Sequence, residues 1–189
     1  MTEEQLIKRC KDGDRQAFDE LVIMYQDKVV NMAYGLLSNK EDALDAAQET
    51  FIKAYRGMGT FAEKSSFNTW LYRILANVCK DMLRKRQRSI KVISINSDND
   101  EELAPTQIPD TNPTPEESVE RTVLQQEVWE ALSRLKSDQR DIIVCFDMQG
   151  LSYEEAAAVL DCPVGTVKSR LNRARNTLRK ILSENREQN

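Results

Sequence analysis

The chain has 189 residues, with 27 Lys or Arg against 31 Asp or Glu, no histidine and four cysteines. This length suffices for one or two domains with their own cores. Since there is neither a histidine nor a CxxC pair, we expect no metal or cofactor site, and the scattered cysteines are interpreted as buried side chains in a reducing compartment. The chain does not open with a basic and then apolar run, and no apolar stretch approaches a membrane span. We therefore expect no signal peptide, no membrane insertion and a cytoplasmic protein.

The acidic residues are concentrated in one segment. Residues 1–93 carry 16 basic and 13 acidic side chains, residues 119–189 carry 11 of each, and residues 94–118 carry seven acidic and no basic ones. The acidic segment also holds four of the five prolines, a composition that favours a flexible linker over a packed core. Because the apolar spacing on both sides is helical, the sequence predicts an all-α protein: two small helical domains, 1–93 and 119–189, joined by the acidic linker 94–118. Overall acidity is then no argument against nucleic-acid binding.

The N-terminal part is predicted to be a series of packing helices. They lie at about residues 3–11, 15–27, 29–37 and 41–57. Ser38 to Glu41 has the pattern of a capping box that opens the fourth. The predicted core stripe of that fourth helix consists of Leu44, Ala47, Phe51, Ala54 and Tyr55.

A neighbouring face of the fourth helix is acidic around one aliphatic side chain. It carries Asp45, Gln48, Glu49 and Ile52. This mixture suits a docking surface for a basic partner protein, but a solvated helix face has the same composition. These residues alone leave both interpretations open.

The next predicted helix begins with aromatic residues and has a basic outer face. The candidate nucleic-acid contacts are Phe67, Trp70, Arg73, Asn77, Lys80 and Arg84. Aromatic rings stack on unpaired bases while cations follow phosphates. Two purely structural explanations remain. Phe67 and Trp70 could be core residues, and basic side chains near the C-terminal end of a helix can stabilise that helix through its macrodipole.

The C-terminal part predicts helices at about 116–133 and 138–148, followed by two helices with a tight break in residues 151–180. Ser152 and Glu155 form a capping box for the first of these two, and Asp161-Cys162-Pro163 ends it. The core stripe of the second consists of Val167, Leu171, Ala174, Leu178 and Ile181.

The opposite side of this last helix is polar and basic. Ser169, Asn172, Arg173 and Asn176 point away from the core stripe, and the flanks and far end carry Lys168, Arg170, Arg175, Arg179 and Lys180. No acidic residue lies between positions 164 and 183. The pattern is that of a helix-turn-helix, whose second helix enters the major groove of DNA. The alternative is an ordinary surface helix, although such faces usually mix both charges.

Three stretches carry a family resemblance: DALDAAQETFIKAYRGM (Asp42 to Met58), FNTWLYRILANVCKDMLRKR (Phe67 to Arg86) and LSYEEAAAVLDCPVGTVKSRLNRAR (Leu151 to Arg175). In their order and spacing the chain resembles a group IV, extracytoplasmic-function (ECF) sigma factor of the sigma-70 family. The resemblance implies sigma-2-like and sigma-4-like domains and a protein that directs core RNA polymerase to −35/−10 promoters. Such a protein is not itself an enzyme. It also implies an anti-sigma factor, often a membrane protein that releases the sigma factor on envelope stress.

The resemblance implies a role for each candidate residue. Asp45, Gln48, Glu49 and Ile52 would dock on the clamp helices of the polymerase β′ subunit, and the C-terminal domain on the β flap. The −10 and melting contacts would be Phe61, Phe67, Trp70, Arg73, Asn77, Lys80 and Arg84, with the loop 61–66 available to receive a flipped base. The −35 contacts would be Thr166, Lys168, Ser169, Arg170, Asn172, Arg173 and Arg175. Among these, Lys168 and Arg173 suit guanine, and Arg170 and Arg175 suit phosphates.

Two departures and two rival hypotheses accompany this interpretation. Small residues at Ala46, Ala47, Ala156 and Ala158 stand where larger ones are usual, and the long linker is not matched. A freestanding dimeric helix-turn-helix regulator of palindromic sites would explain the C-terminal half and leave the acidic patch and the aromatic basic helix without a role. A nuclease has little support, since the chain lacks histidine and any obvious carboxylate cluster beside its basic surfaces.

Overall fold

The computed structural model describes residues 1–94 and 126–188, and within them the chain is helical with no strand. The N-terminal unit comprises α1 (Glu3–Lys11), α2 (Arg15–Leu37), α3 (Lys40–Gly57), a 3-10 turn (Met58–Thr60) and α4 (Phe67–Ser94). The C-terminal unit comprises α5 (126–133), α6 (Ser137–Ile143), a π-helical turn (Val144–Met148), α7 (Tyr153–Leu160) and α8 (Val164–Gln188). The predicted all-α class is therefore confirmed. Apart from Ser94, the predicted acidic linker lies outside the described residues, as do residues 116–125 of the helix predicted from 116.

The structure corrects the prediction of two separate helices at residues 15–27 and 29–37. Residues 15–37 form one helix rather than two, because nothing at Asp27 and Lys28 interrupts the apolar period. Val29 is fully buried and continues the stripe of the preceding turns. The buried stripe consists of Phe18, Leu21, Tyr25, Val29, Met32, Ala33 and Leu36.

Helix α3 packs through small residues. Its buried positions are Ala43, Ala46, Ala47, Thr50 and Ala54. The buried Thr50 hydroxyl donates to the Ala46 carbonyl at 2.7 Å, so this polar side chain is satisfied within the helix. The prediction that Leu44 and Tyr55 are core was wrong: they are 49% and 48% exposed. The alanine face allows α3 to approach its neighbours closely, and this rotates the larger side chains outward.

The helix caps are local and side-chain based. The N-cap of α3 is Asn39, whose side chain accepts from the Asp42 amide at 3.0 Å, so the predicted capping box from Ser38 was displaced by one residue. Ser38 instead ends α2 in the left-handed region at φ 54°. The predicted box of α7 is confirmed, with Ser152 and Glu155 bonding reciprocally at 3.2 and 3.0 Å.

Helix α8 follows the predicted stripe. Val167, Leu171, Ala174 and Ile181 are buried, and Leu178 packs against them partly buried. The helix begins one residue after Pro163, and Asp161 ends α7 in the left-handed conformation. One face of α8 is thereby fixed to the domain, and the opposite face is left to solvent.

The cysteines are free thiols within the core or at its edge. Cys10, Cys79 and Cys145 are buried and Cys162 is partly buried. Burial raises the pKa of the Cys79 thiol to about 12, which leaves it protonated and unreactive at neutral pH. None of the helices within the described ranges is both long and apolar enough to cross a bilayer.

Asp141 on α6 gives a pH-dependent prediction. Burial raises its pKa to about 6, and the nearby cations of Arg140 and Lys80 offset this only in part. The unfolded carboxyl titrates near 3.8, so the ionised side chain costs stability above pH 6. We expect Asp141→Asn to raise stability by about 1–3 kcal/mol at pH 7.5.

The gain should fall to about 0.5 kcal/mol at pH 4, where Asp141 is protonated in the folded state and the unfolded carboxyl is partly protonated. Thermal unfolding of the two proteins at pH 7.5 and pH 4 measures this difference. Asp19→Asn, at an exposed position of α2, is the control and should stay within about 0.5 kcal/mol of wild type. A lower melting temperature for Asp141→Asn at pH 7.5 would contradict the prediction.

Candidate nucleic-acid interface

The acidic patch of α3 lies entirely at the surface. Asp45, Gln48, Glu49 and Ile52, together called the docking patch, are all exposed, with Ile52 at 45%. A hydrogen bond from Lys53 at 2.9 Å lowers the pKa of Glu49 and keeps that carboxylate ionised. Leu44 and Tyr55, exposed on the same helix, add apolar area beside it. Sequence reasoning missed these two residues, and the run of alanines in α3 was the only signal that could have placed them outside.

The aromatic residues around the start of α4 pack against one another. Phe61 and Phe67 are only 4% and 3% exposed, and their ring centroids lie 5.8 Å apart. The centroid of the Trp70 ring lies 4.9 Å from that of Phe61 and 5.7 Å from that of Phe67. Trp70 is the partly exposed member of these three residues. In this arrangement the rings of Phe61 and Phe67 fill the core, and direct base contact by these two residues stays a prediction. Of the three rings, only Trp70 presents an edge to solvent.

The outer face of α4 is basic and polar as predicted. Arg73, Asn77 and Arg84 are exposed, and Arg84 lies 3.7 Å from Asp81 in a loose ion pair on the same helix. Lys80 is different: it is half-buried, and its Nζ donates to the Leu160 carbonyl at the end of α7 at 3.4 Å. Three of the four predicted polar contacts are thus open to a ligand in this arrangement.

The loop before α4 is anchored at one point and capped at its end. Glu63, at φ 55°, pairs with Lys11 of α1. Ser66 accepts from the Thr69 amide at 3.2 Å and so caps α4. The remaining side chains between these two residues are exposed.

The solvent face of α8 brings the predicted major-groove residues together. Lys168, Ser169, Asn172 and Arg173 are exposed on it, and this set is called the recognition face. Arg173 uses its Nε to donate to the Ser169 carbonyl at 3.3 Å. Its two terminal nitrogens make no hydrogen bond to any described residue, so the fork that can pair with guanine is available.

A pair of aromatic rings contacts two basic side chains of α8, one in the recognition face and one beyond its C-terminal end. Phe146 and Tyr153 lie 4.7 Å apart, with the Lys168 ammonium 5.2 Å from the Tyr153 ring and the Arg175 guanidinium 5.5 Å from the Phe146 ring. Arg175 also forms a two-point ion pair with Asp147, with Nε to Oδ2 at 3.1 Å, which raises the pKa of Arg175. Sequence reasoning missed Phe146, Asp147 and Tyr153, because their contacts to α8 join residues 15 to 29 positions apart.

Two other predicted −35 residues, Arg170 and Thr166, are half-buried and do not belong to the recognition face. Arg170 is half-buried and lines a cleft that also contains Lys80, Arg84 and Asp141, so it faces α4 and α6 rather than the recognition face. Thr166 is half-buried, and its carbonyl accepts from the Ser169 hydroxyl at 3.0 Å. In this arrangement the phosphate contact predicted for Arg170 would require that cleft to open.

Comparison with known proteins decides the family. Residues 21–89 match the model of Sigma-70 region 2, and residues 125–178 match that of Sigma-70, region 4. The ECF RNA polymerase sigma-E factor of Escherichia coli K12 is 39% identical over 181 residues, covering 94% of this chain and 93% of the relative. The RNA polymerase sigma-H factor of Pseudomonas aeruginosa is 37% identical over 180 residues, covering 95% and 93%. The chain belongs to the ECF sigma factors of the sigma-70 family.

Solved structures agree with this placement of the sigma factor. The sigma factor RpoE of Bartonella quintana, solved with the anti-sigma factor NepR, is 30% identical with a TM-score of 0.69, covering 88% of this chain and 96% of that one. CnrH, solved with the cytosolic domain of CnrY, has a TM-score of 0.67 and shows the shared fold. The two matched regions lie inside the predicted domains 1–93 and 119–189. The predicted domain limits themselves stay a prediction, because both fall at or beyond the edges of the described segments.

Proposed function

We propose that this sigma factor binds core RNA polymerase through the docking patch, on the clamp helices of the β′ subunit. It then directs the polymerase to promoters with −35 and −10 elements. The observation that carries the proposal is that three different helices of one chain each expose a surface of suitable chemistry: an acidic and apolar one on α3, and basic and polar ones on α4 and α8. One protein partner and two DNA segments can then be bound at once.

The recognition face reads the −35 element in the major groove. Arg173 donates two hydrogen bonds to guanine O6 and N7, and Lys168 serves the same acceptors from the adjacent turn. Asn172 offers an amide that suits adenine N6 and N7. The Tyr153 ring holds Lys168 in place and the Phe146 ring holds Arg175, and this reduces the conformational entropy that these two side chains lose on binding DNA.

The outer face of α4 contacts the −10 element as it opens. Arg73 and Arg84 neutralise phosphates, Asn77 offers an amide to a base edge, and the exposed edge of Trp70 stacks on an unpaired base. Phe61 and Phe67 support Trp70 from the core. Each extruded base costs a few kcal/mol of lost stacking, which these contacts offset.

The protein acts in the cytoplasm, and the chemistry of transcription belongs to the polymerase. The C-terminal unit contacts the β flap, and an anti-sigma factor covers the docking surfaces until a stress signal releases it. Support for such a partner comes from the 30% identical relative, which was solved with an anti-sigma factor.

Footprinting tests this function against the dimeric regulator. Permanganate reactivity of −10 thymines should appear only when the protein and core polymerase are both present, with protection of the −35 region. Protection of a palindromic duplex by the protein alone, unchanged by polymerase, would favour the regulator instead.

The Asp147–Arg175 ion pair leads to a prediction about DNA affinity. In Asp147→Asn the Arg175 guanidinium loses its carboxylate partner and a negative charge leaves the DNA-facing side. We expect the affinity for a −35 duplex to rise about three- to tenfold at low salt, with a slope of log K against log salt steeper by about 1. Fluorescence anisotropy at several salt concentrations measures both quantities.

The control for this prediction is Arg175→Ala in the Asp147→Asn background, which should remove the gain. An affinity below that of wild type for Asp147→Asn alone would contradict it. In that case the carboxylate would be needed to position Arg175 for its phosphate.

A further inference from the structure

Most side chains of the recognition face have a contact within the C-terminal unit that limits their rotation. The Ser169 hydroxyl donates to the Thr166 carbonyl at 3.0 Å, and Arg173 Nε donates to the Ser169 carbonyl at 3.3 Å. The Lys168 ammonium lies 5.2 Å from the centroid of the Tyr153 ring. Three of the four members of the face are therefore restrained by a backbone carbonyl or by an aromatic ring.

The fourth member of the face, Asn172, is restrained by the side chain of Asn176. The Nδ2 atom of Asn176 donates to Oδ1 of Asn172 at 3.0 Å. The two residues are four positions apart, so their side chains are neighbours on one side of α8. Both residues are exposed, and neither side-chain amide makes another hydrogen bond with a described residue. The Nδ2 atom of Asn172 therefore keeps both of its protons available for a ligand.

Asn176 lies on the side of α8 opposite the buried stripe. It follows the buried Val167 by nine positions, and nine steps of about 100° place it about 180° around the helix. A side chain at this position does not pack against the rest of the unit, so its bond to Asn172 is not a consequence of burial. Two amides four residues apart also stabilise a helix only slightly. Stability therefore gives little reason for this contact.

We propose that Asn176 is a positioning residue for −35 recognition, which fixes the amide of Asn172 in the orientation that reads adenine. The inference rests on the proposed function, in which Asn172 contacts a base in the major groove. Rotation of an asparagine amide by about 180° exchanges its oxygen and its nitrogen, so an unrestrained Asn172 offers two opposite hydrogen-bonding patterns. The bond from Asn176 selects one of these patterns, because only the oxygen of Asn172 can accept it.

The selected orientation still contains everything that adenine recognition needs. A carbonyl oxygen has two lone pairs, so Oδ1 of Asn172 can accept from Asn176 and from the N6 amino group of adenine at the same time. The Nδ2 atom of Asn172 then donates to adenine N7. In the rotated amide Nδ2 would face the N6 amino group, and two donors without acceptors would meet. Asn176 thus raises the preference for adenine without contacting a base.

Three substitutions of Asn176 separate this role from a structural one. Asn176→Gln keeps an amide donor that can reach the side chain four residues earlier, so it should retain the wild-type base preference. Asn176→Ala removes the donor, and the preference for adenine at the position read by Asn172 should fall about three- to tenfold. Asn176→Asp has only acceptors at neutral pH, so it should bind Nδ2 of Asn172, reverse the amide and lower the adenine preference below that of Asn176→Ala.

The measurement is binding of the holoenzyme, formed from the full chain and core polymerase, to a library of −35 sequences. Asn172→Ala identifies the base position that Asn172 reads, as the position whose preference that variant relaxes. Preference at one position is a ratio of affinities, so the uniform loss that the charge of Asn176→Asp causes near phosphates cancels. In the Asn172→Ala background, Asn176→Ala should cause no further change at that position. Circular dichroism confirms that each variant is folded.

An adenine preference that survives in Asn176→Ala or in Asn176→Asp would overturn the positioning role. A loss in Asn176→Ala that persists in the Asn172→Ala background would also overturn it, because Asn176 would then contact DNA itself. If Asn172→Ala changes no base preference, the adenine contact fails and the positioning role fails with it, while −35 binding by the rest of the face stands. A wild-type holoenzyme without any −35 preference is the separate result that would overturn the proposed function.

Discussion

Reversing both acidic charges of the docking patch, in Asp45→Arg/Glu49→Arg, is expected to weaken binding to core polymerase by about 2–4 kcal/mol, or roughly 30- to 1000-fold. The two introduced arginines would repel a basic partner surface across the interface. Glu49→Arg also places a cation one helical turn from Lys53, where the native glutamate forms an ion pair. The contribution of that repulsion to helix stability is only a few tenths of a kcal/mol, so the variant should remain folded. Competition with a labelled sigma factor for purified core measures the affinity.

The control for this variant is Asp19→Arg/Glu20→Arg. It makes the same change in net charge on an exposed part of α2 in the same unit. Its core affinity should stay close to that of wild type, apart from a small salt-dependent change. Equal losses in the two variants would show that net charge, and not the docking patch, determines binding.

Truncation of the central arginine of the recognition face, Arg173→Ala, is expected to cost about 1–3 kcal/mol on the preferred −35 sequence and much less on other sequences. The free fork of Arg173 is the group on this face best suited to two parallel hydrogen bonds with one base. Binding of the holoenzyme to a −35 library, wild type against variant, shows the loss as relaxed preference at one base position.

Arg179→Ala serves as the control on the same helix. Arg179 is exposed but lies about a turn and a half beyond Arg173, outside the recognition face. Its loss should weaken binding similarly for all sequences and reduce the salt slope, as expected for a phosphate contact. A uniform loss for Arg173→Ala as well would contradict base reading by that side chain.

The elements predicted best from the sequence were those determined by local rules. The α8 stripe from Val167 to Ile181 follows from helical period alone, and the Ser152–Glu155 box from side chains three residues apart. Both were confirmed, since neither depends on distant residues. The family was likewise confirmed, because its motifs span both units.

The errors came from positions where tertiary packing overrides the local pattern. Leu44 and Tyr55 have the spacing of a core stripe, yet an alanine face allows the backbones to approach and leaves both outside. The burial of Phe61 and Phe67 against Trp70 and Tyr25 was likewise not indicated by their position near the start of a basic helix, and their predicted base contacts stay a prediction. Burial of this kind depends on which helix packs opposite, and the sequence of one helix does not contain that information.

The contacts between units were not predictable for a further reason. Thr69 and Glu155 are 86 positions apart, and both have an ordinary role in helix capping. Gly35 lies within a helix without any local feature that requires glycine, and only the opposing Val144 explains it. Residues whose local role is already satisfied give no sequence signal of a second, distant partner.

Run-off transcription by purified core polymerase, with and without this protein, over a library of genomic promoters is the decisive test of the sigma-factor function. We expect transcripts that need the protein, that start downstream of a shared −35/−10 pair, and that disappear with Asp45→Arg/Glu49→Arg. A polymerase whose transcripts are the same with and without the protein would show that promoter selection is not what this chain does.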